Sequence, residues 1–449
     1  MFEFIKKIPD FYWAGESYTP RFEPRDASAC LESARELRGQ FSLSYTSPGG
    51  RLFLIRDQLG INKLFFALHE SGRVIAANYL IDLVRHGVPF EAIYSVPSGH
   101  FVEIDSVGRQ LTLHRFHELR NGNVNDDHNF DDEAAAKLIR AQLERWFSRL
   151  ANQFASRTIC VNVSGGLDSG VITALARRQF TNVIGFTYGF IDDNKTDSED
   201  VQYARRLTDF LGIPLRVVPA GSRDIFAVLE DALCYGQDWR DFNVHCAVVN
   251  EILSAAIKAE SANVAGTQGP PLLLSGDLMN EYLADYTPVE YRGRQFYALP
   301  HAGIAELRLT LVRGLDTGDR EIGVFNQHAL PLIQPYGLML DRYLDLPPGL
   351  LVQPGFKQRL VKKLAGDLLP EFIFHRGKVR AQIGTSHEPT GILPVLVDSG
   401  RDTKWMRSKF CHVFGIREEA FLNRFIRAGL YRFLWEYPKG RIGTNGYYI

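Results

Sequence analysis

The sequence is poor in cysteine and carries almost no net charge. Cysteine occurs at five of 449 positions, and no two of the five are spaced as CxxC: Cys30, Cys160, Cys234, Cys246 and Cys411. An odd number of scattered cysteines argues against a disulfide framework and a structural zinc site, and fits a reducing compartment. The 51 Lys and Arg residues nearly balance the 52 Asp and Glu residues. That balance argues against a large uncompensated basic surface, so we expect no nucleic-acid partner.

Long apolar runs are also missing. No run of about 18 apolar residues occurs, and the N-terminal segment MFEFIKKIPDFYW has no secretory apolar core. We therefore expect no membrane partner and a cytoplasmic location. The chain is nevertheless 45% hydrophobic, which is enough for sizeable cores. Its length alone suggests about three domain-sized units.

The first 118 residues are predicted to be rich in β-strands. Phe41–Tyr45 alternates apolar and polar residues, a turn follows at Ser47–Gly50, and Arg51–Ile55 is a second strand. The polar segment 121–129 then predicts a linker, which we place at 119–133. A surface loop within one domain would have the same composition.

After the linker, residues 134–449 are predicted to form an α/β domain. Helical spacing of apolar residues appears first, and strands and helices alternate from position 157. The predicted order is Thr158–Val163 (strand), Val171–Arg178 (helix), Val183–Tyr188 (strand), Asp200–Leu211 (helix) and Leu215–Val218 (strand). Strand, crossover helix and strand in this order indicate a parallel sheet, and the remainder reads as a mainly helical extension.

The most informative segment is a glycine-rich turn between an apolar strand and a helix: Ser164, Gly165, Gly166, Leu167, Asp168 and Ser169. Two glycines allow a tight turn and close approach to a ligand, and the start of the helix offers unpaired N–H groups to an anion. The carboxylate of Asp168 would repel a bare phosphate, so the segment predicts a bridging Mg²⁺. An ordinary strand-to-helix turn is the structural alternative.

This turn has neither the GxxxxGK[ST] nor the GxGxxG pattern, and it matches SGGxDS. It resembles the pyrophosphate loop of the ATP-pyrophosphatase superfamily. The resemblance implies that residues 164–169 bind ATP, and that Val163 and Phe186 contribute to an apolar adenine pocket. It also implies cleavage of ATP between the α- and β-phosphates, with adenylation of a substrate and release of pyrophosphate.

A second segment, LSGDLMNEYLADY at 274–286, resembles the LSGEGSDE…GGY segment of asparagine synthetase. The resemblance implies that Gly276 contacts the nucleotide and that Asp277 and Glu281 are catalytic residues beside it. Asn280 stands where the family has an aspartate that binds a second Mg²⁺. Because an amide is a weaker magnesium ligand than a carboxylate, the second metal contact is an open question. A solvated acidic loop is the alternative.

A third segment, residues 368–378, resembles the LP…I..R.K segment of the same family. The resemblance implies that Lys378 stabilises the adenylation transition state and the departing pyrophosphate, where negative charge accumulates. Arg376 and Arg380 flank this lysine and could hold phosphate oxygens. A solvated surface lysine is the alternative.

The N-terminal part resembles the family's class II glutamine amidotransferase domain, which is a β-sandwich flanked by helices. The similar segments are GQFSL at 39–43, LFLIRDQLGINKLFFA at 52–67 and VPSGH at 96–100. The full expectation is therefore an α+β amidotransferase-like domain at 1–118 and a parallel-sheet ATP-pyrophosphatase domain at 134–449.

The N-terminal part differs from the glutamine-using members of this family at positions that determine its predicted function. Glutamine-using members have Cys at position 2, whereas this chain has Phe2, which supplies no thiolate. An NGEIYN-like segment is also missing. Cys30 lies in the predicted helix Ala27–Leu37 and is expected to be inert. The domain is predicted to be a relic, as in β-lactam synthetase, carbapenam synthetase and lasso-peptide cyclases.

Substrate residues are expected between the glycine-rich turn and Ser275. Arg240 could pair with a substrate carboxylate, and Asp241 or His245 could assist deprotonation of an amine. A loop that caps the helix Val244–Lys258, with His245 a satisfied helical residue, is the alternative.

The sequence therefore predicts an AMP-forming amide synthetase that uses ATP and Mg²⁺ in a specialised biosynthetic pathway. Its expected partners are a small-molecule or peptide carboxylate and an amine, which is intramolecular, a second substrate or free ammonia. A homodimer or a pathway partner protein is possible. The alternatives are an inactive homologue that acts as a binding or scaffolding protein, and a glutamine-dependent asparagine synthetase.

Overall fold

The structure is a computed structural model with a mixed α/β fold. It describes residues 2–69, 73–105, 110–122, 130–191, 198–261, 269–299, 301–313, 319–377, 379, 381, 383, 390–417, 422, 426–427, 430–431 and 442–444.

The N-terminal part is built mainly from short strands. Its elements are β1 (Phe2–Ile5), β2 (Phe11–Ala14), β3 (Ser17–Tyr18), α1 (Ala27–Glu36), β4 (Leu37–Gln40), β5 (Ser42–Thr46), β6 (Leu52–Arg56), β7 (Phe65–Leu68), β8 (Val74–Ala77), α2 (Leu80–Arg85), a 3₁₀ helix (Phe90–Ala92), β9 (Ile93–Ser95), β10 (His100–Ile104) and β11 (Leu111–Arg115). They form sheets in the orders β1-β8-β7-β9, β3-β2-β4 and β11-β10-β6-β5. The predicted β-rich character of this part is confirmed.

The rest of the chain alternates strands and helices before it becomes mainly helical. Its elements are α3 (Asp132–Phe154), β12 (Ile159–Asn162), α4 (Leu167–Gln179), β13 (Val183–Phe190), α5 (Glu199–Leu211), β14 (Leu215–Ala220), α6 (Ser222–Gly236), α7 (Asp241–Ser261), β15 (Leu272–Leu274), α8 (Met279–Leu283), β16 (Val289–Tyr291), β17 (Arg294–Phe296), α9 (Ile304–Arg313), α10 (Ile322–Gln327), β18 (Leu332–Ile333), α11 (Leu340–Leu344), α12 (Phe356–Ala365), α13 (Glu371–Phe374), α14 (Ile392–Asp398), α15 (Thr403–Val413), β19 (Ile426–Arg427), β20 (Leu430–Tyr431) and β21 (Ile442–Thr444), with 3₁₀ helices at Pro335–Met339 and Pro348–Val352.

A parallel sheet forms the centre of this second part. Its order is β14-β13-β12-β15-β18, and each neighbouring pair is parallel. The chain adds β13 and β14 on one side of β12 and returns to add β15 and β18 on the other side. In open parallel sheets a ligand crevice forms at such a reversal, beyond the carboxyl ends of the strands. The crevice between β12 and β15 is therefore where a site is expected.

Local sequence explains the helix boundaries in this part. The side chain of Asp131 accepts from Glu133 N and Ala134 N at 3.0 and 3.1 Å, which caps α3. Helix α5 ends at Gly212, whose φ of 63° is the left-handed conformation that glycine tolerates. The helix predicted to end there is confirmed.

The hairpin β16–β17 interrupts the region that was predicted to be helical. Its two central residues, Arg292 and Gly293, have φ values of 50° and 70°. Positive φ at both positions is the geometry of the tight hairpin turn that matches the strand twist. Gly293 by itself is a weak sequence signal for this turn, because the other central residue, Arg292, adopts a positive φ that non-glycine residues disfavour.

The two parts of the chain share a continuous apolar core. Gln40 Nε2 donates to the carbonyl of Leu332 at 2.6 Å, and Tyr79 OH donates to the carbonyl of Gly323 at 2.7 Å. Strand β21 adds in parallel to β11, so a segment near the C-terminus joins the N-terminal sheet. The proposed boundaries at 118 and 134 stay predictions, and residues 123–129 of the predicted linker lie outside the described residues.

Among the described residues, no helix is both long and apolar enough to cross a membrane.

Candidate functional site

A cavity of about 240 Å³ opens at the carboxyl ends of β12, β13 and β15. Most of its lining comes from the turns after these strands and from helix α7. The lining residues are Asn162, Val163, Ser164, Asp168, Ser169, Phe186, Thr187, Tyr188, Asp200, Phe242, Cys246, Val249, Asn250, Leu253, Ser275, Gly276, Asp277, Asn280, Tyr286, Arg320, Glu321, Val379 and Ala381.

Two glycines allow the turns to pack closely around this cavity. Gly165 has a φ of 69°, and a Cβ atom there would lie 2.6 Å from the backbone of Ala204. A Cβ atom on Gly276 would lie 2.6 Å from Ser169 N. Any side chain at either position would therefore push the glycine-rich turn away from α5, or the turn after β15 away from α4.

The glycine-rich turn presents the start of α4 to the cavity. Gly166 is the residue before the helix and offers no side-chain cap to the first N–H groups. Ser164 Oγ and Ser169 Oγ lie 3.0 Å apart and tie the two ends of the turn together. A helix of 13 residues that begins at a glycine turn favours an anion at its N-terminal end.

Asp168 and Asn280, the predicted metal ligands, both contact the ammonium group of Lys357. Lys357 Nζ lies 2.7 Å from Asp168 Oδ1, 2.6 Å from Asn280 Oδ1 and 2.9 Å from Asp285 Oδ2. Burial acts to lower the pKa of Lys357, but the Asp168 and Asp285 carboxylates outweigh it and raise that pKa. Lys357 therefore carries a positive charge at neutral pH.

Counted along the sequence, Lys357 is 189 residues from Asp168, 77 from Asn280 and 72 from Asp285. Only folding brings these four groups together, and no motif around Lys357 pointed to it. The three oxygens are hard donors of the kind that Mg²⁺ prefers, so they fit this ion in chemical type. No group of three or more His, Cys, Asp and Glu side chains in the described part of the chain is arranged for a metal.

Asp277 and Glu281, the predicted catalytic carboxylates, share the guanidinium of Arg320. Arg320 Nη2 lies 2.6 Å from Asp277 Oδ1 and 2.5 Å from Glu281 Oε1, and Tyr286 OH donates to the same Glu281 oxygen. Asp277 lines the cavity, whereas Glu281 lies behind it. Burial raises the pKa of Asp277. For Glu281, burial acts in the same direction, but Arg320 and Tyr286 hold its pKa below the usual value.

Arg376 supports the glycine-rich turn from behind and does not line the cavity. Its Nη1 donates to the carbonyl of Ser164 at 2.6 Å, and its Nη2 donates to the carboxylate of Asp200. Both side chains of this ion pair are 5% exposed. In this structure Arg376 therefore holds the turn in place. Lys378 and Arg380 lie outside the described residues.

The predicted adenine residues form an apolar wall. Val163 and Phe186 both line the cavity and are almost fully buried. Beside them, Tyr188 is 5% exposed, and its hydroxyl has no hydrogen-bond partner among the described residues. A buried hydroxyl without a partner is costly, so Tyr188 is positioned to bond a ligand.

The three predicted substrate residues do not line the cavity. Arg240 Nη2 lies 2.7 Å from Asp238 Oδ2, and Asp241 accepts from the backbone N of Tyr297 at 3.1 Å. His245 Nδ1 lies 2.8 Å from Tyr297 OH, and burial lowers the pKa of His245 to about 4. This geometry favours the structural alternative, a helix start with a satisfied histidine.

A different face of α7 lines the cavity instead. Its residues recur at helical spacing: Phe242, Cys246, Val249, Asn250 and Leu253. Positions i, i+4, i+7, i+8 and i+11 lie on one face of a helix. That period was visible in the sequence, but it is equally typical of a face that packs in a core.

Glu321 also lines the cavity, and sequence analysis missed it. Its Oε2 accepts from Ser275 Oγ at 2.5 Å and from Gln334 Nε2 at 2.9 Å. Burial, and then the negative charge of Asp277, raise the pKa of Glu321 to about 8. A carboxyl that titrates near neutral pH inside a cavity is suited to proton transfer.

Residues 139–293 match the family model described as asparagine synthase. The "Amidase chry2" of Gibberella zeae is 21% identical over 290 residues, which cover 57% of this chain and 41% of that protein. A probable glutamine-hydrolysing asparagine synthetase of Acanthamoeba polyphaga mimivirus is 30% identical over 193 residues, which cover 39% of this chain and 33% of that protein.

Among solved structures, an NMN synthetase from Francisella tularensis is 13% identical and covers 67% of this chain and 97% of that chain. Its TM-score of 0.32 is too low to bear on the fold.

The matched segments of the two curated relatives are less than half of the length of either protein. The family match nevertheless contains the glycine-rich turn, helix α7 and the turn after β15, which all contribute residues to the lining of the cavity. Residues 139–293 are therefore similar in sequence to the asparagine synthase family.

Proposed function

We propose that this chain is an ATP-dependent ligase that forms an amide bond through an acyl-adenylate. The observation that carries the proposal is the cavity at the β12–β15 reversal, where the glycine-rich turn meets Lys357 and Asp168. The match to the asparagine synthase family supports carbon–nitrogen ligation in general. The formation of AMP, the source of the amine and the biosynthetic setting are also proposed.

Each wall of the cavity has a role in this reaction. The start of α4 and the turn 164–169 would bind the phosphates, and Val163 and Phe186 would contact the adenine. Asp168 and Asn280 would hold Mg²⁺, which when bound supplies positive charge to the phosphates. Lys357 would stabilise the charge that develops as pyrophosphate departs, and Lys378 is proposed for the same role.

The amine is proposed to come from the substrate itself, from a second substrate or from free ammonia. Position 2 carries Phe2, and Cys30 is fully buried in α1, where burial raises the pKa of its thiol. A neutral buried thiol is a poor nucleophile, so Cys30 is unsuited to hydrolysing glutamine. A specialised biosynthetic pathway is the proposed setting.

Glu321 is proposed to accept the proton of the attacking amine. It lies in the cavity beside Asp277, and the two donors on its Oε2 fix the orientation of the carboxylate. With a pKa of about 8, Glu321 is protonated in part at neutral pH and can exchange a proton in both directions.

One observation favours a second candidate, an inactive homologue that binds a ligand or a partner. Lys357 contacts Asp168, Asn280 and Asp285 at once, and Asn280 replaces a family carboxylate. A lysine that neutralises these oxygens could stabilise a site without catalysis. Measuring pyrophosphate release separates the two candidates.

We expect pyrophosphate release from MgATP with at least one member of a panel of carboxylic acids, and Asp168→Ala should lower it at least about a hundredfold. The carboxylate of Asp168 would be lost as a ligand of the cation on the phosphates. Arg177→Ala is the matched control, because Arg177 is an exposed residue of the same helix. No release with any acid, together with no ATP binding, would contradict the enzyme proposal.

Glu321→Gln should slow amide formation by a factor of about 10² to 10⁴, the usual contribution of a general base. Amide formation by the unchanged protein should rise with pH up to about 8, where Glu321 loses its proton, and the variant should lose this rise. Exchange of pyrophosphate into ATP should persist in the variant, because adenylation precedes the attack of the amine.

The stability of Glu321→Gln supplies an independent control. Because the folded-state pKa of Glu321 is raised, its ionisation weakens the folded protein as pH rises from about 4.5 towards 8. The variant should therefore be more stable than the unchanged protein above about pH 8, measured by urea denaturation. Equal stabilities at every pH would contradict the assignment of the raised pKa.

A further inference from the structure

A second cavity, of about 340 Å³, lies between the two parts of the chain. Its walls come from the N-terminal part, from helix α3 and from the region 337–342. The lining residues are Arg38, Gly39, Gln58, Leu59, Leu138, Ala141, Gln142, Arg145, Trp146, Arg149, Gly337, Leu338 and Arg342. It shares no lining residue with the first cavity, at the carboxyl ends of β12, β13 and β15, which we call the nucleotide cavity after its proposed ligand.

Four arginines line this second cavity, and none of the described lining residues is acidic. Two carboxylates outside the lining offset part of the charge. Glu16 contacts Arg149, and Asp345 lies 3.7 Å from Arg342 Nη1. In a chain with a net charge of −1, four guanidinium groups around one cavity are a local excess of positive charge.

Neighbouring groups orient three of these arginines. Arg149 lies 4.7 Å above the ring of Trp146, and Arg342 Nε donates to Gln142 Oε1 at 3.1 Å. Arg38 Nη1 donates to the backbone carbonyls of Arg35 and Leu37 at 2.6 and 2.8 Å. Orienting the side chains in advance lowers the entropy cost of binding a ligand.

The cavity also has an apolar wall. Leu59, Trp146 and Leu338 are buried, and Leu138 is 55% exposed beside them. A concave space of this size with both charged and apolar walls suits a small molecule better than a flat partner surface. Guanidinium groups favour phosphates and carboxylates, which accept two hydrogen bonds at once.

We infer that the cavity lined by Arg38, Arg145, Arg149 and Arg342 binds a small molecule that combines an apolar body with phosphate or carboxylate groups. The inference is independent of the proposed ligase reaction, because it uses none of the residues of the nucleotide cavity. Phosphate and carboxylate share the chemistry of the site, and the experiment below distinguishes them.

The test is calorimetric titration of the full chain with inorganic phosphate and, separately, with benzene-1,2-dicarboxylate, at constant ionic strength. At least one probe should bind with a dissociation constant in the millimolar range or below. Arg145→Ala/Arg342→Ala should weaken that binding by about tenfold or more, since two charge-assisted contacts are lost. The control is Arg177→Ala/Arg223→Ala, which removes two exposed arginines elsewhere and should leave binding unchanged.

A second pair of variants tests the site without removing an arginine. Leu138→Glu places a negative charge beside the exposed side of the cavity and should weaken binding, whereas Leu138→Gln should not. Binding that is equal in the unchanged protein, the double arginine variant and Leu138→Glu would place the probe elsewhere and overturn the inference. No binding of either probe up to about 10 mM would overturn it as well.

Discussion

Lys357→Ala is expected to lower pyrophosphate release by at least about a hundredfold. The ammonium group is the cation that the structure places against Asp168, Asn280 and Asp285, at 2.6 to 2.9 Å. Removing it leaves two carboxylates without their shared counter-ion at the point where the phosphates would bind. ATP binding should weaken as well, because uncompensated carboxylates repel phosphate.

Lys362→Ala is the matched control for this prediction. Lys362 is on the same helix, its side chain is 53% exposed, and it pairs with Glu371 on the surface. An exposed pair contributes little, so this variant should keep its activity and its melting temperature. If Lys357→Ala folds normally and releases pyrophosphate at the unchanged rate, the role given to Lys357 is wrong.

Arg320→Met is expected to lower the free energy of unfolding by about 3–5 kcal/mol at about pH 7, the usual cost of removing one partner from a buried ion pair. The side chain of Arg320 is 10% exposed, and it is the shared partner of Asp277 and Glu281. Without it, two carboxylates that are 15% and 4% exposed face each other in a poorly solvated space. Urea denaturation measures the loss.

The carboxylates of Asp277 and Glu281 determine how the stability of Arg320→Met depends on pH. Burial already raises the pKa of Asp277, whereas Arg320 lowers the pKa of Glu281. Without Arg320 both folded-state pKa values should lie above the unfolded values, so stability falls as pH rises through the folded-state values. The difference in stability between Arg320→Met and the unchanged protein should therefore shrink as pH falls to about 3, where Asp and Glu are mostly protonated in the unfolded state as well.

Arg320→Met combined with Asp277→Asn and Glu281→Gln separates charge from packing. Neutral amides at positions 277 and 281 carry no charge, so the triple variant should recover part of the stability that Arg320→Met loses at about pH 7. A loss that is identical in the single and triple variants at every pH would show that Arg320 acts through packing alone.

The sequence predicted those features that depend on neighbouring residues. The strands predicted at Thr158–Val163 and Val183–Tyr188 are observed at Ile159–Asn162 and Val183–Phe190, and the helix predicted at Asp200–Leu211 begins one residue earlier, at Glu199. Each of these depends on local periodicity, β-branched residues or a glycine stop. The glycine-rich turn belongs to this group, because its spacing and its place between strand and helix are local properties.

Residues on a helix face were harder to predict. In α7, Asp241 and His245 carried the functional groups that attracted attention, whereas Phe242, Cys246 and Asn250 line the cavity. Adjacent positions differ by about 100° around a helix, so neighbouring residues face different surroundings. The side of α7 that faces the cavity depends on how the helix packs against the sheet.

By itself the sequence determined the α/β class, the glycine-rich turn and the missing cysteine at position 2. Only the tertiary structure decided which charges meet: Lys357 with Asp168, Arg320 with Asp277, and four arginines around one cavity between the two parts. Most of these groups are far apart in the chain, and their contacts form only after strands and helices have packed. A low count of cysteines and a net charge near zero gave no sign that four arginines would surround one cavity.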